Sequence, residues 1–341
     1  MDKKTVKKLL NITSGKQVMG QKLTKELKKI DLPTEHVIDK IVLLVRCKLK
    51  ATANKTVKIE EIGKIFSQFN VLSDNAISHY AVGMNDILKI NHYMNRGKNL
   101  SVNGTVSLDD TFTIGTTETT FETLLLLDCG DILAFKKQAL ELNVDYDLGA
   151  IDGVTVSDIE ITVTLDKDKF ETMNDYYFKY GTGLDVYVEP KVTVFTSNLS
   201  ENTNLDDTQA FPIGNILDKL ICTFVDTTGA RSDGINSEIA VRDTVNSIEY
   251  YKQDYLTMKY LDAVEHDIKP LLGVVIIDME SEITNQSLGF KEYLYTKDQF
   301  QIATHNKTNG KLRVIRIEHM ATPKAKQVLE SEKLTAEATN D

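Results

Sequence analysis

One register in the sequence limits the fold more than any other feature. Leu32-Pro33 followed by Val37-Ile38-Asp39-Lys40-Ile41-Val42 returns as Phe211-Pro212 followed by Ile216-Leu217-Asp218-Lys219-Leu220-Ile221, every pair at an offset of 179 residues. Only five prolines occur in the chain, so a Pro match and an Asp-Lys match in one register point to internal duplication. Each copy continues into a second strand-like segment and then an aromatic-rich segment of helical character, SHYAVGMNDILKINHYMN in the first and IEYYKQDYLTMKYLDA in the second. Repeats of this size mean two homologous domains rather than a solenoid, and 341 residues are enough for two cores.

Between these landmarks the apolar residues fall in short β-branched runs: VIDKIVLLV (37–45), KIEEIGKIF (58–66), ETLLLLD (122–128), IEITVTL (159–165) and LDVYVEPKVTVF (184–195). Turn-forming pairs such as Asn103-Gly104 and Asp152-Gly153 separate them. Many short strands joined by turns predict β-sandwiches, with two helical interludes near residues 74–95 and 245–263. The segments LLGVVIIDME, FKEYLYT and KLRVIRIEHM complete the second set of strands. The polar stretch 196–209 has the composition of a linker. The expected organisation is a basic arm (1–30), a first sandwich (31–197), a linker (198–209), a second sandwich (210–320) and a polar tail (321–341).

Charge is unevenly spread. The net charge is -10, yet residues 1–30 hold nine Lys against only Asp2 and Glu26. Val6, Leu9 and Leu10 share one helical face, and Leu23, Leu27 and Ile30 recur at spacings of four and three, so the arm is expected to be an amphipathic helix in two pieces. On an anionic membrane Lys3, Lys4, Lys7 and Lys8 would meet phosphates while Val6, Leu9 and Leu10 meet acyl chains. The acidic body and the lack of any aromatic side chain in the first thirty residues argue against sequence-specific nucleic-acid binding. No apolar run approaches the ~20 residues of a membrane-spanning helix. The absence of a signal-peptide pattern predicts synthesis in the cytoplasm.

Catalytic signatures are missing. There is no GxGxxG, and SGK at 14–16 lacks the upstream glycine of a phosphate-binding loop. The six histidines occur singly and most are expected at the surface or in turns; Cys47, Cys129 and Cys222 form no CxxC and are expected to be buried thiols. No cofactor is indicated. The acidic loop NVDYDLGAIDG offers Asp145, Asp147 and Asp152 as candidate ligands for a structural calcium, although its spacing is not that of an EF-hand.

Taken together, the lysine-rich arm before Leu32-Pro33, the strand VIDKIVLLV, its copy ILDKLICTF, and FETLLLLDCGDILAFKKQALELN leading to SDIEITVTL resemble the double jelly-roll major capsid proteins of tailless, membrane-containing icosahedral phages of the tectivirus and corticovirus kind. The resemblance implies an all-β fold of two tandem eight-stranded jelly-roll sandwiches, with an N-terminal amphipathic helix and short helical insertions. It also implies a non-enzymatic virion protein that forms homotrimers. Three such chains give a pseudo-hexagonal tile, and the partners are neighbouring trimers, penton or minor capsid proteins and an internal lipid membrane. The second copy departs from the pattern in being shorter. A trimeric spike, or a carbohydrate-binding or cupin-like enzyme, is the alternative reading of such sandwiches.

Overall fold

A computed structural model of the chain describes residues 13–35, 37–95, 97, 100–101, 104–169, 188–210, 215–243, 248–279, 294–295 and 300–321. The expected membrane-facing residues Lys3, Lys4, Val6, Lys7, Lys8, Leu9 and Leu10 lie outside this set, as do 322–341. The chain divides into two compact units, Met1–Pro190 and Lys191–Asp341.

Eight strands build the two main sheets of the first unit: β1 (Thr13–Val18), β2 (Lys29–Asp31), β3 (Val37–Ala51), β4 (Phe66–Ser73), β5 (Ile77–Val82), β6 (Thr119–Leu133), β7 (Leu140–Tyr146) and β8 (Val154–Lys169). They are ordered β1-β8-β3-β6 and β2-β7-β4-β5. β3 lies between β8 and β6, and alternation decides which face it buries. Ile41, Leu43, Val45, Cys47 and Leu49 turn inward, each with at most 1% of its surface exposed. Leu43 stands opposite Leu125 on one side and Val163 on the other, so each inward residue of β3 is packed within a row across three strands. A short helix, α1 (Ile59–Gly63), follows the strand-like segment Lys55–Lys58, and α2 (Met84–Met94) follows β5.

The second unit repeats this order. Its strands are β9 (Val188–Leu199), β10 (Asp206–Ala210), β11 (Asn215–Val225), β12 (Asn236–Asp243), β13 (Ile248–Asp254), β14 (Val274–Asp278), β15 (Phe300–Asn306) and β16 (Gly310–Ala321). The sheets run β9-β16-β11-β14 and β10-β15-β12-β13, so each strand has the neighbours of the one eight places earlier. A helix, α3 (Tyr255–Glu265), follows β13 just as α2 follows β5. The repeated Asp-Lys pairs fall on the matching strands β3 and β11. Leu220, Cys222 and Phe224 of β11 point into a core with Val275, Ile277, Leu312, Val314, Ile239 and Ile302.

Three expectations change. The segment 13–31 is not helical: Thr13–Val18 pairs with β8, Leu23–Thr24 also pairs with β8, and Lys29–Asp31 pairs with β7. Leu23 and Ile30 are buried by these pairings while Leu27 stays 40% exposed, so their spacing of four and three reflects two strands and a turn. The polar stretch 198–209 is not a linker, because β9 ends at Leu199 and Asp206–Ala210 pairs with β15 at the edge of a sheet. Polar side chains suit such an edge, whose other side lacks a strand. Finally, LDVYVEPKVTVF contributes the first strand of the second sandwich rather than the last of the first, which lengthens the second copy. The two helical interludes are each a strand followed by an eleven-residue helix.

Candidate functional site

The same cross-strand ion pair occurs in both units, in two different environments. Lys40 of β3 stands opposite Asp128 of β6, and Lys219 of β11 stands opposite Asp278 of β14. The Lys40–Asp128 distance is 3.5 Å, with side chains 37% and 46% exposed. Lys219 lies 3.2 Å from Asp278 and 2.9 Å from Asp218, with all three side chains between 5% and 10% exposed. A register shift between Leu217 and Lys219 lets these consecutive residues turn to the same buried place, which strict alternation would forbid.

Further groups converge there. His319 Nε2 lies 3.7 Å from Asp218, and His266 Nε2 lies 3.8 Å from Asp278. Burial works against the Asp218 carboxylate, but the hydrogen bonds and charges of His319 and Lys219 outweigh it and hold its pKa below the usual range. Asp262 of α3 shows the opposite balance. Burial, opposed by one hydrogen bond from the Ile276 N–H and reinforced by Glu265 and Asp278, pushes it up to about 8. Nearby, Asp233 accepts hydrogen bonds from Tyr255 Oη at 2.8 Å, Lys259 Nζ at 2.6 Å and Gly273 N at 2.7 Å. One carboxylate thus ties α3 to the turns on either side of it.

The residues singled out for chemistry are not assembled for it. Among the described residues no three His, Cys, Asp or Glu side chains converge as a metal site requires. Asp147 instead accepts from the Gly149 N–H at 3.1 Å, closing its own turn. Asp145 is exposed on β7, and Asp152 is exposed, its backbone carbonyl accepting from Lys55 Nζ at 2.6 Å. Asp145, Asp147 and Asp152 thus stand apart, one on a strand and two in turns, and do not form a three-ligand group. Cys47 and Cys222 are buried free thiols, and burial pushes Cys47 up to about 12, which removes the thiolate a nucleophile needs. A groove of about 250 Å³ lies over Arg46, Lys48, Asp158 and Glu160. Its charges pair with one another or with Glu122, leaving little net field for a ligand.

Two histidines lie in the core rather than at the surface. His79 is fully buried, bonded to Ser73 Oγ at 2.9 Å and to the Pro190 carbonyl at 3.2 Å. His92 is also buried, at 4% exposure. Burial is the first cause that lowers the pKa of His79, so the Ser73–His79 pair is a core hydrogen bond with no path for a substrate. The buried cluster in the second unit left one sequence signal, the Asp-Lys repeat itself. No described helix is long and apolar enough to cross a membrane.

Comparison with known proteins gives structural likeness alone. No protein-family model matches the chain. No curated protein sequence matches it. Among solved structures, the major capsid protein of Sulfolobus Turreted Icosahedral Virus superposes with a TM-score of 0.77 at 14% identity, over 91% of this chain and 97% of that one. The major capsid protein of Bacteriophage PM2 gives 0.57 at 8% identity, over 91% and 98%. That of Faustovirus gives 0.56 at 8% identity, over 91% of each chain. Two eight-stranded sandwiches with matching strand orders, covering nearly the full length of these proteins, make the fold of this chain a double jelly roll.

Proposed function

We propose that this chain is the major capsid protein of an icosahedral virus, a structural component of the virion rather than an enzyme. The observation that carries the reading is the strand-for-strand duplication, β1–β8 repeated as β9–β16, in a chain that is similar to viral capsid proteins over almost their whole length. Two like sandwiches in one chain give a trimer six-fold character, and six-sided units tile a closed shell. Function then resides in surfaces that meet neighbouring copies.

The finer parts of the reading concern assembly. Trimers pack as pseudo-hexagonal tiles, and penton or minor capsid proteins fill the remaining positions of the shell. The arm at Lys3, Lys4, Val6, Lys7, Lys8, Leu9 and Leu10 faces an internal lipid membrane, because it combines four cations with three apolar residues in eight positions. Light scattering on a sizing column tests the first claim: the expected mass is three times the 38.3 kDa of the chain. A monomer that also yields no particles by electron microscopy refutes the shell reading. For the arm, flotation with anionic vesicles should capture the full chain and lose a variant lacking residues 1–12. Equal flotation of both would remove the membrane role and leave the capsid role standing.

A further inference from the structure

The helices α2 and α3 occupy the same place in the repeated topology, but their outward faces differ. Counting from the first helical residue, Asn85, Lys89 and Tyr93 of α2 match Leu256, Tyr260 and Val264 of α3. Lys89 and Tyr93 are each 2% exposed. Leu256, Tyr260 and Val264 are 47%, 67% and 75% exposed, spaced by four so that they form one stripe along the helix.

An excursion of its own unit packs on the first turn of α2. Between β3 and β4 the chain makes the segment Lys55–Lys58 and then α1, which packs on α2: the Asn85 side-chain amide donates to the Glu60 carbonyl at 2.9 Å. Gly63 sits so close to Asn85 that a Cβ there would collide with the amide. The matching connection of the second unit, between β11 and β12, is a turn closed by Gly229 N to Asp226 O at 3.0 Å and Asp226 N to Ala230 O at 2.8 Å. No helix forms there, and the α3 stripe stays open to solvent.

We propose that the Leu256–Tyr260–Val264 stripe of α3 is the seat of a second copy of this chain, whose side chains supply cover of the kind that α1 gives the start of α2. The partner's identity rests on the shell reading. The stripe's need for a protein partner rests on its area and surroundings. Its three side chains leave on the order of 300 Å² of apolar surface exposed, a sizeable part of the ~800 Å² that each partner of a stable interface contributes. Around it lie exposed Lys252, Asp254, Asp267 and Lys269, charges of both signs. A mixed rim around an aromatic centre suits a protein surface and does not suit an anionic bilayer.

The test uses the full chain purified in solution. Mass is measured by sedimentation across 1–100 µM, and hydroxyl-radical modification of Tyr260 is followed over the same range. The expected result is an oligomer in which Tyr260 is protected as concentration rises. A Tyr260→Asp/Val264→Asp variant with an unchanged circular dichroism spectrum should associate at least 100-fold more weakly, while Leu148→Asp, at an exposed leucine of the first unit, should not. Should the double Asp variant misfold, Tyr260 protection in the wild-type chain decides alone. An oligomer that persists in the variant with Tyr260 equally reactive at all concentrations overturns the stripe as an interface and leaves the shell reading to particle imaging. A wild-type chain that remains monomeric throughout the range overturns it as well.

Discussion

Replacing Lys219 by Met and Lys40 by Met makes the same chemical change at matching positions of the two sandwiches, so the difference between them isolates burial. Lys219 sits between Asp218 and Asp278 at 2.9 and 3.2 Å, in a place where no side chain of the three is more than 10% exposed. Removing the cation leaves two carboxylates facing each other with little water, and breaking a buried pair in this way costs about 3–5 kcal/mol. Lys40 and Asp128 are 37% and 46% exposed at 3.5 Å, where solvent screening limits the loss to about 0–1 kcal/mol. At ~2–4 °C per kcal/mol for a domain of this size, Lys219→Met should lower the midpoint of the second unit by on the order of 10 °C, and Lys40→Met should barely move that of the first. The chain has no Trp, so circular dichroism is the suitable probe. Asp218 is held below its unfolded pKa, so its stabilising contribution is present above the unfolded value and lost as pH falls through the depressed one. The penalty of Lys219→Met should accordingly shrink as pH approaches ~4, where carboxylates begin to take up protons. Equal losses for the two variants at pH 7 would refute the claim that burial, rather than the ion pair as such, sets the cost.

Asp262 titrates with the opposite sign. Its folded pKa of about 8 lies above the unfolded 3.8, so the folded state holds the extra proton and stability falls as pH rises between those values. Asp262→Asn should remove that slope, about 1.4 kcal/mol per pH unit at most, and gain stability relative to wild type at pH 7 in urea titrations; parallel pH profiles would contradict it. Gly273 has φ +67°, and a Cβ there would lie 2.7 Å from Ser232 N and 2.8 Å from Phe224 O, both rigid backbone atoms. Gly273→Ala should therefore cost roughly 2–4 kcal/mol by thermal denaturation, well beyond the ~1 kcal/mol of a glycine effect alone. Asp233→Ala strips the acceptor from Tyr255, Lys259 and Gly273 together, and should cost about 2–3 kcal/mol, with Asp233→Asn recovering part of it because one oxygen remains.

Much of this architecture could be read from residues 37–42 and 216–221, because an Asp-Lys pair in register with a proline marks the same strand twice. What the sequence obscured follows from the physics of edges and bulges. Leu23, Leu27 and Ile30 satisfy a helical spacing, yet Lys29-Ile30-Asp31 alternates exposed and buried, and so short a strand is indistinguishable from a helical turn by period alone. Asp206–Ala210 has a linker's composition because an edge strand has only one bonded neighbour and tolerates polar side chains on its free side. The cluster at Asp218, Lys219 and Asp278 depends on a register shift in β11 that no alternation pattern announces. His266 and His319 join it from a helix end and a distant strand, so their isolation in sequence carried no trace of it.

The sheet order also sets a timetable for synthesis. Gln17 of β1 pairs with Leu165 of β8, and Leu43 of β3 waits for both Leu125 and Val163. At ~5–20 residues per second, β1 leaves the ribosome roughly 7–30 s before its partner exists. For roughly 4–16 s of that time, until Leu125 of β6 is made, Ile41, Leu43 and Val45 have no neighbour on either edge, the state most prone to pairing with another nascent chain. The chain thus passes through its most adhesive form before the first sandwich can close. The expected consequence is a yield on expression that rises with chaperone capacity during translation.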